Sequence, residues 1–141
     1  MKKILIAIDG SENSKKALIK AKEVAELKTS DIYILMVVEN LKGNPAVVNS
    51  DDKNAKISKE IQDAEDILKN ALELFSDYTG VVKADYKVGD VATKIIEVAE
   101  DRGIDLIVMG RRGLGTFSRT FLGSISNKVL NNVNTSVLIV K

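Results

Sequence analysis

The chain has 141 residues, of which 45% are hydrophobic, and its 21 basic and 20 acidic side chains nearly cancel. This length and composition predict one domain over residues 1–141 with a buried core, and the balanced charge argues against nucleic acid or an anionic membrane as a partner. Because cysteine and histidine are both absent, thiolate nucleophiles, Ser-His-Asp triads, imidazole bases and the usual zinc sites are excluded.

The first segment, MKKILIAIDG, has basic residues before apolar ones, as a signal peptide does. Asp9 interrupts the apolar run and no small-residue cleavage pattern follows, so the segment predicts a first strand. No apolar stretch approaches the roughly 20 residues needed to cross a bilayer. We therefore expect a cytoplasmic protein that does not contact membranes.

Five segments have the patterns of strands. Four are almost continuously aliphatic, which is typical of strands covered on both faces: Ile4–Ile8, Ile32–Val38, Ile104–Met109 and Val137–Val140. The fifth, Val81–Val88, alternates, with Val82, Ala84, Tyr86 and Val88 on one face and charged residues on the other. The alternation predicts a half-exposed edge strand.

Helical periodicity separates these strands. Apolar stripes are formed by Ala17, Leu18, Ala21, Val24 and Ala25, by Ile57, Ile61, Ala64, Leu68, Ala71, Leu72 and Phe75, and by Ala92, Ile95, Ile96 and Ala99. Ser11, Asp90 and Ser124 are predicted caps, because their side-chain oxygens can accept from free first-turn amides. The segment Leu41–Asn54 holds the only proline and no periodicity, and we expect a mobile loop there.

The alternation of strands and helices predicts an α/β fold: a doubly wound, five-stranded parallel sheet with helices on both faces, Rossmann-like in kind. Right-handed crossovers leave the strand orders 3-2-1-4-5 and 2-1-3-4-5. The alternating third strand favours the first, in which it lies at an edge. Strands 1 and 4 are then neighbours at the switch point, where open α/β sheets bind ligands, and Asp9 and Gly110 meet there.

The stretch GRRGLGTFSRTFLGS, from Gly110 to Ser124, follows the fourth strand. It lacks the lysine of a Walker A loop. A Rossmann fingerprint would need a third glycine where Ser118 stands, and it would follow the first strand, whereas this stretch follows the fourth. What remains is Gly110, two residues, Gly113, nine residues, then Gly123 and Ser124. Glycines let a phosphate approach the backbone, and first-turn helix amides attract anions. The alternative interpretation is a strand-to-helix turn that binds nothing.

With these motifs the whole chain resembles the ATP-binding branch of the universal stress proteins, whose fold is of the adenine nucleotide alpha hydrolase kind. The matching segments are ILIAIDGSENSKKAL, ILMVVEN, VGDVATKIIEVAEDRGIDLIVMGRRGLG and FLGSISNKVLNNVNTSVLIVK. In that family the pattern G-2x-G-9x-G-[ST] separates nucleotide-binding members from the others, and here it is intact. The resemblance implies ATP, with ADP or AMP as alternatives, bound with Mg²⁺ carried by the phosphates.

The resemblance also implies which residues bind the nucleotide. Asp9 would lie at the ribose and adenine end beside Ala7 and Ile8, and Val37 would offer its backbone to adenine. Met109 and Gly110 would lie near the ribose and first phosphates; the phosphate chain would be held by Gly113, Gly123, Ser124 and Ile125, with Ser124 also near Mg²⁺. Family members often have histidine or a small polar residue where this chain has Met36 or Arg111. At these two positions the chain departs from the family pattern, and the resemblance does not establish a nucleotide contact there.

Several of these residues have simpler explanations. Asp9 can start the turn into the first helix, and Val37 and Met109 fit a plain core. Arg111 and Arg112 can contact phosphates or form a solvated charge pair. Ser118 and Thr120 are hydroxyls that could accept phosphate, or ordinary surface residues.

Four functions follow from the pattern. The first is a nucleotide-dependent regulatory module read by an unknown protein partner. The second is an ATPase, which would be slow or partner-dependent because no Glu or Gln lies inside the loop to orient water. The third, a phosphoryl-accepting receiver domain, is disfavoured because Asp9 has no acidic neighbour and Gly89 follows the third strand.

The fourth function is assembly without nucleotide. The last strand, Ser136 to Lys141, is apolar and lies at an edge in the favoured order, with no proline or inward charge to discourage pairing. A two-fold homodimer through this strand would cover it. Assembly and nucleotide binding can coexist.

Overall fold

The computed structural model of the chain describes residues 3–26, 29–39, 50–111 and 123–141. Strands and helices alternate along these residues. In chain order they are β1 (Lys3–Ile8), α1 (Glu12–Glu26), β2 (Asp31–Glu39), α2 (Ser50–Glu73), β3 (Val82–Gly89), α3 (Val91–Asp101), β4 (Leu106–Gly110), α4 (Ser124–Asn132) and β5 (Ser136–Val140).

The strands form one parallel sheet in the order β3-β2-β1-β4-β5. This confirms the predicted α/β fold and the order 3-2-1-4-5, and it is not the alternative order 2-1-3-4-5. The chain reverses its direction of winding between β1 and β4, where Ala7 pairs with Met109. The carboxyl ends of these two strands therefore lie side by side.

Helices cover both faces of the sheet. On one face α1 and α2 pack against Ile4, Ile6, Ile32, Ile34 and Val108, and on the other α3 and α4 pack against Leu5, Leu35, Ile107 and Met109. Since successive side chains of a strand point to opposite faces, a continuously aliphatic strand such as β1 supplies both cores. The aliphatic runs in the sequence are explained by this double coverage.

The edge strand β3 has the predicted alternating character. Val82, Ala84 and Tyr86 pack on the α1 and α2 side, whereas Lys83 and Lys87 are exposed. Val88, expected on the same inner face, is 38% exposed, because it lies where the strand leaves the cover of the helices.

The amino ends of the strands are joined by polar contacts around Tyr33. The Arg102 guanidinium lies 3.9 Å from the centre of the Tyr33 ring, and the Tyr33 hydroxyl donates to Asp85 Oδ2 at 3.4 Å. Burial, and then the Asp85 carboxylate, raise the pKa of Tyr33 above its ordinary value. The amino ends of the strands are thus stabilised by charged side chains, and they lie at the opposite end of the sheet from the switch point.

Three further sequence predictions are corrected by the structure. The segment Leu41–Asn54 is not a loop throughout, since α2 begins at Ser50; residues 41–49 lie outside the described residues. Leu72, placed in the apolar stripe, is 39% exposed because it lies on the outer face of α2. The fourth strand begins at Leu106 rather than Ile104. Ile104 is buried all the same, which is why composition alone included it.

Candidate functional site

A recess lies at the carboxyl ends of β1 and β4, between the first turns of three helices. It is lined by Ala7, Ile8, Asp9, Ser14, Val91, Ile95, Met109, Gly110, Ile125 and Ser126. Its volume is about 60 Å³. The topology thus brings together residues from both ends of the sequence, as predicted for Asp9 and Gly110.

The turn from β1 into α1 is organised by hydrogen bonds from Asp9 and Ser11. Asp9 Oδ1 accepts from the Ser11 amide at 2.9 Å, and Ser11 Oγ accepts from the Ser14 amide at 3.2 Å. Ser11 therefore caps α1 as predicted. Gly10 adopts φ +85°, a left-handed conformation that glycine takes without strain. The turn holds the half-buried Asp9 carboxylate at the mouth of the recess.

Gly110 ends β4 in contact with the backbone of α1. A Cβ at this position would lie 2.8 Å from the Asn13 carbonyl oxygen and 2.9 Å from the Asn13 carbonyl carbon. Backbone atoms cannot rotate away as a side chain can. Glycine is therefore required here for close packing of α1 on β4, whatever else the residue does.

Three hydrogen bonds join the end of β4 to its neighbours. The Arg111 amide donates to the Val140 carbonyl at 2.8 Å, and the Arg111 carbonyl accepts from the Gly123 amide at 3.1 Å. Ser126 Oγ donates to the Gly110 carbonyl at 3.1 Å. The first and last parts of the glycine-rich segment are consequently adjacent in space.

The start of α4 differs from the starts of α1 and α3. Gly123 is its N-cap, and no side chain of the described residues makes a capping hydrogen bond there. The prediction that Ser124 caps α4 is wrong, because Ser124 is already the first residue of the helix. The first intrahelical bond runs from the Asn127 amide to the Gly123 carbonyl at 2.9 Å, so the preceding first-turn amides have no acceptor within the helix.

The start of α3 is capped by a carboxylate. Asp90 Oδ2 accepts from the Thr93 amide at 3.1 Å and from the Thr93 hydroxyl at 2.6 Å, as predicted for this cap. These bonds, together with Lys128 at 3.3 Å, hold the pKa of Asp90 below its ordinary value. Negative charge already occupies the starts of α1 and α3, while the first turn of α4 contains no acidic residue. An added anion is therefore favoured at α4.

Comparison with known proteins identifies the family of this chain. A model of the universal stress protein family matches residues 1–141. The chain belongs to the universal stress protein family. Universal stress protein YxiE of Bacillus subtilis is 33% identical over 150 residues, which cover 99% of this chain and 98% of the relative.

Solved structures of the family have the same fold. The structure of MJ0577 from Methanocaldococcus jannaschii has a TM-score of 0.87 at 30% identity and covers 99% of this chain and 95% of its own. A universal stress protein from Archaeoglobus fulgidus, solved in complex with dAMP, has a TM-score of 0.74 at 19% identity, covering 100% of this chain and 98% of its own. At that identity the likeness to the Archaeoglobus protein shows the fold.

The structure places many of the predicted site residues of this family member at the recess. Ala7, Ile8, Asp9, Met109, Gly110 and Ile125 line it, and Arg111, Gly123 and Ser124 lie beside it through the β4-to-α4 hydrogen bonds. Val37 does not line it; it lies on β2, next to the Met36 that pairs with Ile8. Gly113, Arg112, Ser118 and Thr120 lie outside the described residues.

Sequence reasoning missed four lining residues: Ser14, Val91, Ile95 and Ser126. Ile95 was predicted as core, which it also is. The two serines are 5% and 4% exposed. The sequence signal for these two serines was their position within an apolar helical stripe. Such a position predicts a buried hydroxyl, and a buried hydroxyl needs a specific hydrogen-bond partner.

Two larger recesses are formed by described residues outside the Gly110 to Ser124 segment. One of about 260 Å³ lies at the amino ends of the strands, where basic and acidic side chains alternate around Tyr33. The other, about 440 Å³, lies between α1 and α2 and includes Leu18, Ile67 and Leu74. The second recess includes the Gly10 turn at the start of α1 and shares Ile8 and Ser14 with the switch-point recess. Among the described residues, only the switch-point recess is lined by both Asp9 and Gly110, so it remains the candidate site.

The described residues contain no group of three or more His, Cys, Asp or Glu side chains placed to hold a metal ion. None of their helices is long and apolar enough to span a membrane.

Proposed function

We propose that this universal stress protein binds an adenine nucleotide, ATP in the first place, at the switch point and acts as a nucleotide-dependent regulatory module. The observation that carries the proposal is the meeting of Asp9, Gly110 and the start of α4 at one edge of the sheet. The Asp9 carboxylate suits the hydroxyls of the sugar, and the glycine backbone at Gly110 lets the nucleotide approach closely. The start of α4, which has no side-chain cap, suits the phosphates.

In this proposal the sugar lies against the recess. The volume of about 60 Å³ takes only part of a nucleotide, so the remainder lies over the neighbouring strand and helix ends. The Asp9 carboxylate accepts from ribose hydroxyls, and Ala7, Ile8 and Met109 contact the sugar and base. The backbone of Val37, one strand along, receives the adenine edge.

The phosphates lie toward α4. Its first-turn amides, that of Ile125 among them, donate to phosphate oxygens, joined by the exposed Ser124 hydroxyl. The glycines Gly113 and Gly123 let the phosphate chain approach the backbone. Mg²⁺ fits this arrangement through phosphate oxygens and the Ser124 hydroxyl, since hydroxyl and phosphate oxygens are ligands that it prefers. Arg111, half-buried at the end of β4, supplies positive charge nearby.

A regulatory role is favoured over efficient catalysis. Hydrolysis needs a group that orients the attacking water, and the chain has no histidine and no Glu or Gln between Gly110 and Ser124. The bound state is then read by another protein, and any hydrolysis is slow or stimulated by that partner. The Archaeoglobus protein solved with dAMP supports an adenine nucleotide as the ligand class.

Titration calorimetry with ATP, ADP and AMP in the presence of Mg²⁺ tests the proposal. We expect micromolar binding of ATP, weakened in Gly113→Val by the bulk at the backbone and in Ser124→Ala by loss of a donor, the latter by about 1–3 kcal/mol. Ser76→Ala, an exposed serine beyond the end of α2, is the matched control. Nucleotide extracted from the purified protein is identified in parallel. No binding and an empty extract would refute the proposal.

A second candidate function is assembly through β5. This strand pairs with β4 on one side and forms an edge of the described sheet, and its four residues from Val137 to Val140 are half-buried. Pairing with a second copy would satisfy the free edge. Light scattering of Ile139→Lys should show a monomer, while Val88→Lys on the opposite edge strand should leave the assembly unchanged. A dimer that persists in Ile139→Lys would remove β5 from the interface.

A further inference from the structure

We propose that Ser126 is a positioning residue of the nucleotide site, whose hydroxyl holds the start of α4 at the end of β4. The inference rests on the proposed function, because the groups it positions are the α4 amides assigned to the phosphates. Ser126 itself is not proposed to contact the ligand. It acts through the backbone of Gly110.

The geometry around the Gly110–Arg111 peptide carries the argument. Its carbonyl accepts from Ser126 Oγ at 3.1 Å, and its amide donates to the Val140 carbonyl at 2.8 Å. The following carbonyl, that of Arg111, accepts from the Gly123 amide at 3.1 Å. The Gly110–Arg111 peptide is thus bonded to β5 on one side and, through Ser126, to α4 on the other, and the next carbonyl along the chain adds a second bond to the α4 start at Gly123.

Ser126 supplies the only side chain in this set of bonds. It is 4% exposed, and its one hydroxyl proton is used on the Gly110 carbonyl. Loss of the hydroxyl would leave that part-buried carbonyl without this partner, which costs more than loss of a fully exposed hydrogen bond. Of the two hydrogen bonds from α4 to the end of β4 among the described residues, that of the Gly123 amide would remain.

The other buried serine of the recess has a different role. Ser14 Oγ donates to the Ser11 carbonyl at 2.9 Å, within its own helical turn. It joins no two elements of the fold. Burial of a serine at this recess is therefore insufficient to make it a positioning residue, and the bond of Ser126 across two elements is the distinguishing feature.

The expected consequence depends on the phosphates of the ligand. Ser126→Ala should weaken ATP binding by about three- to tenfold, the equivalent of one ordinary hydrogen bond. Binding of adenosine, which has no phosphate to meet α4, should be unchanged. Ser126→Thr keeps the hydroxyl and should restore ATP affinity, and the Gly123 amide should exchange with solvent faster in Ser126→Ala than in the unaltered chain.

The experiment is calorimetry of ATP and adenosine on these variants, with urea unfolding of each. Thr135→Ala is the matched control, because Thr135 Oγ1 donates to the Ile104 carbonyl at 3.3 Å at the opposite end of β4 and β5. It should lose stability and keep ATP affinity. If the unaltered chain binds ATP and Ser126→Ala binds it with equal affinity, the positioning role is overturned and the proposed function stands. Equal losses for ATP and adenosine would also overturn the positioning role. No ATP binding by the unaltered chain would overturn the proposed function and this role with it.

Discussion

Replacement of Gly110 by alanine tests whether the glycine is required by packing. The added Cβ would lie 2.8 Å from the Asn13 carbonyl oxygen, whereas ordinary contacts begin near 3.4 Å. The first turn of α1 would have to move away from β4 by roughly half an ångström. Because the contacted atoms are backbone, the movement displaces the helix rather than one side chain.

The cost of this displacement can be estimated. Overpacking of a filled site costs about 1–3 kcal/mol, and we expect a loss of that size in the free energy of unfolding of Gly110→Ala. The same movement widens the gap between Asp9 and the end of β4, so ATP affinity should fall as well. Both effects have a single cause, the separation of α1 from β4.

Urea unfolding and ATP calorimetry of Gly110→Ala are compared with Gly103→Ala. Gly103 has φ +61° and nothing within 4 Å of an added Cβ, so alanine there costs about 1 kcal/mol through its left-handed conformation alone. Gly103 follows α3 at the opposite edge, and ATP affinity should be unchanged. A Gly110→Ala variant as stable as the unaltered chain would refute the packing argument.

Three further predictions concern stability, each measured by urea unfolding. Asp90→Ala should lower the free energy of unfolding by about 1 kcal/mol near neutral pH, because the bonds to Thr93 are lost. Since the pKa of Asp90 is lowered in the fold, this contribution should vanish as the pH falls through that pKa. A stability difference that persists in acid would contradict this prediction. Arg102→Ala should cost about 0.5–1 kcal/mol through loss of the contact with the Tyr33 ring, with Arg102→Lys intermediate. Ile107→Ala, at a fully buried position, should cost about 2–5 kcal/mol, and a loss below 1 kcal/mol would mean that this core collapses around the cavity.

Local patterns in the sequence were sufficient for much of the fold. The aliphatic run from Ile4 to Ile8 and the alternation around Tyr86 report how many faces of each strand are covered, which places β1 centrally and β3 at an edge. Asp90 was recognised as a cap because it directly precedes a periodic helix. The start of α2 at Ser50 was missed, since its first turns carry no apolar stripe.

Part of the candidate site followed from the sequence through topology. Asp9 and Gly110 each end an aliphatic strand, and the predicted strand order made those strands neighbours. Val37 also ends such a strand, but the structure leaves it outside the recess, because β2 lies one strand beyond the switch point. Position along the chain could not resolve that difference.

The sequence by itself determined the order of elements, the strand order and the segments that meet at the switch point, because periodicity and alternation record burial locally. Only the tertiary structure decided which backbone groups lie within bonding distance. It showed that the backbone of Asn13 packs on Gly110, that Gly123 rather than Ser124 is the N-cap of α4, and that Ser126 bonds to β4. These facts depend on contacts between residues distant in sequence, and such contacts leave no local pattern.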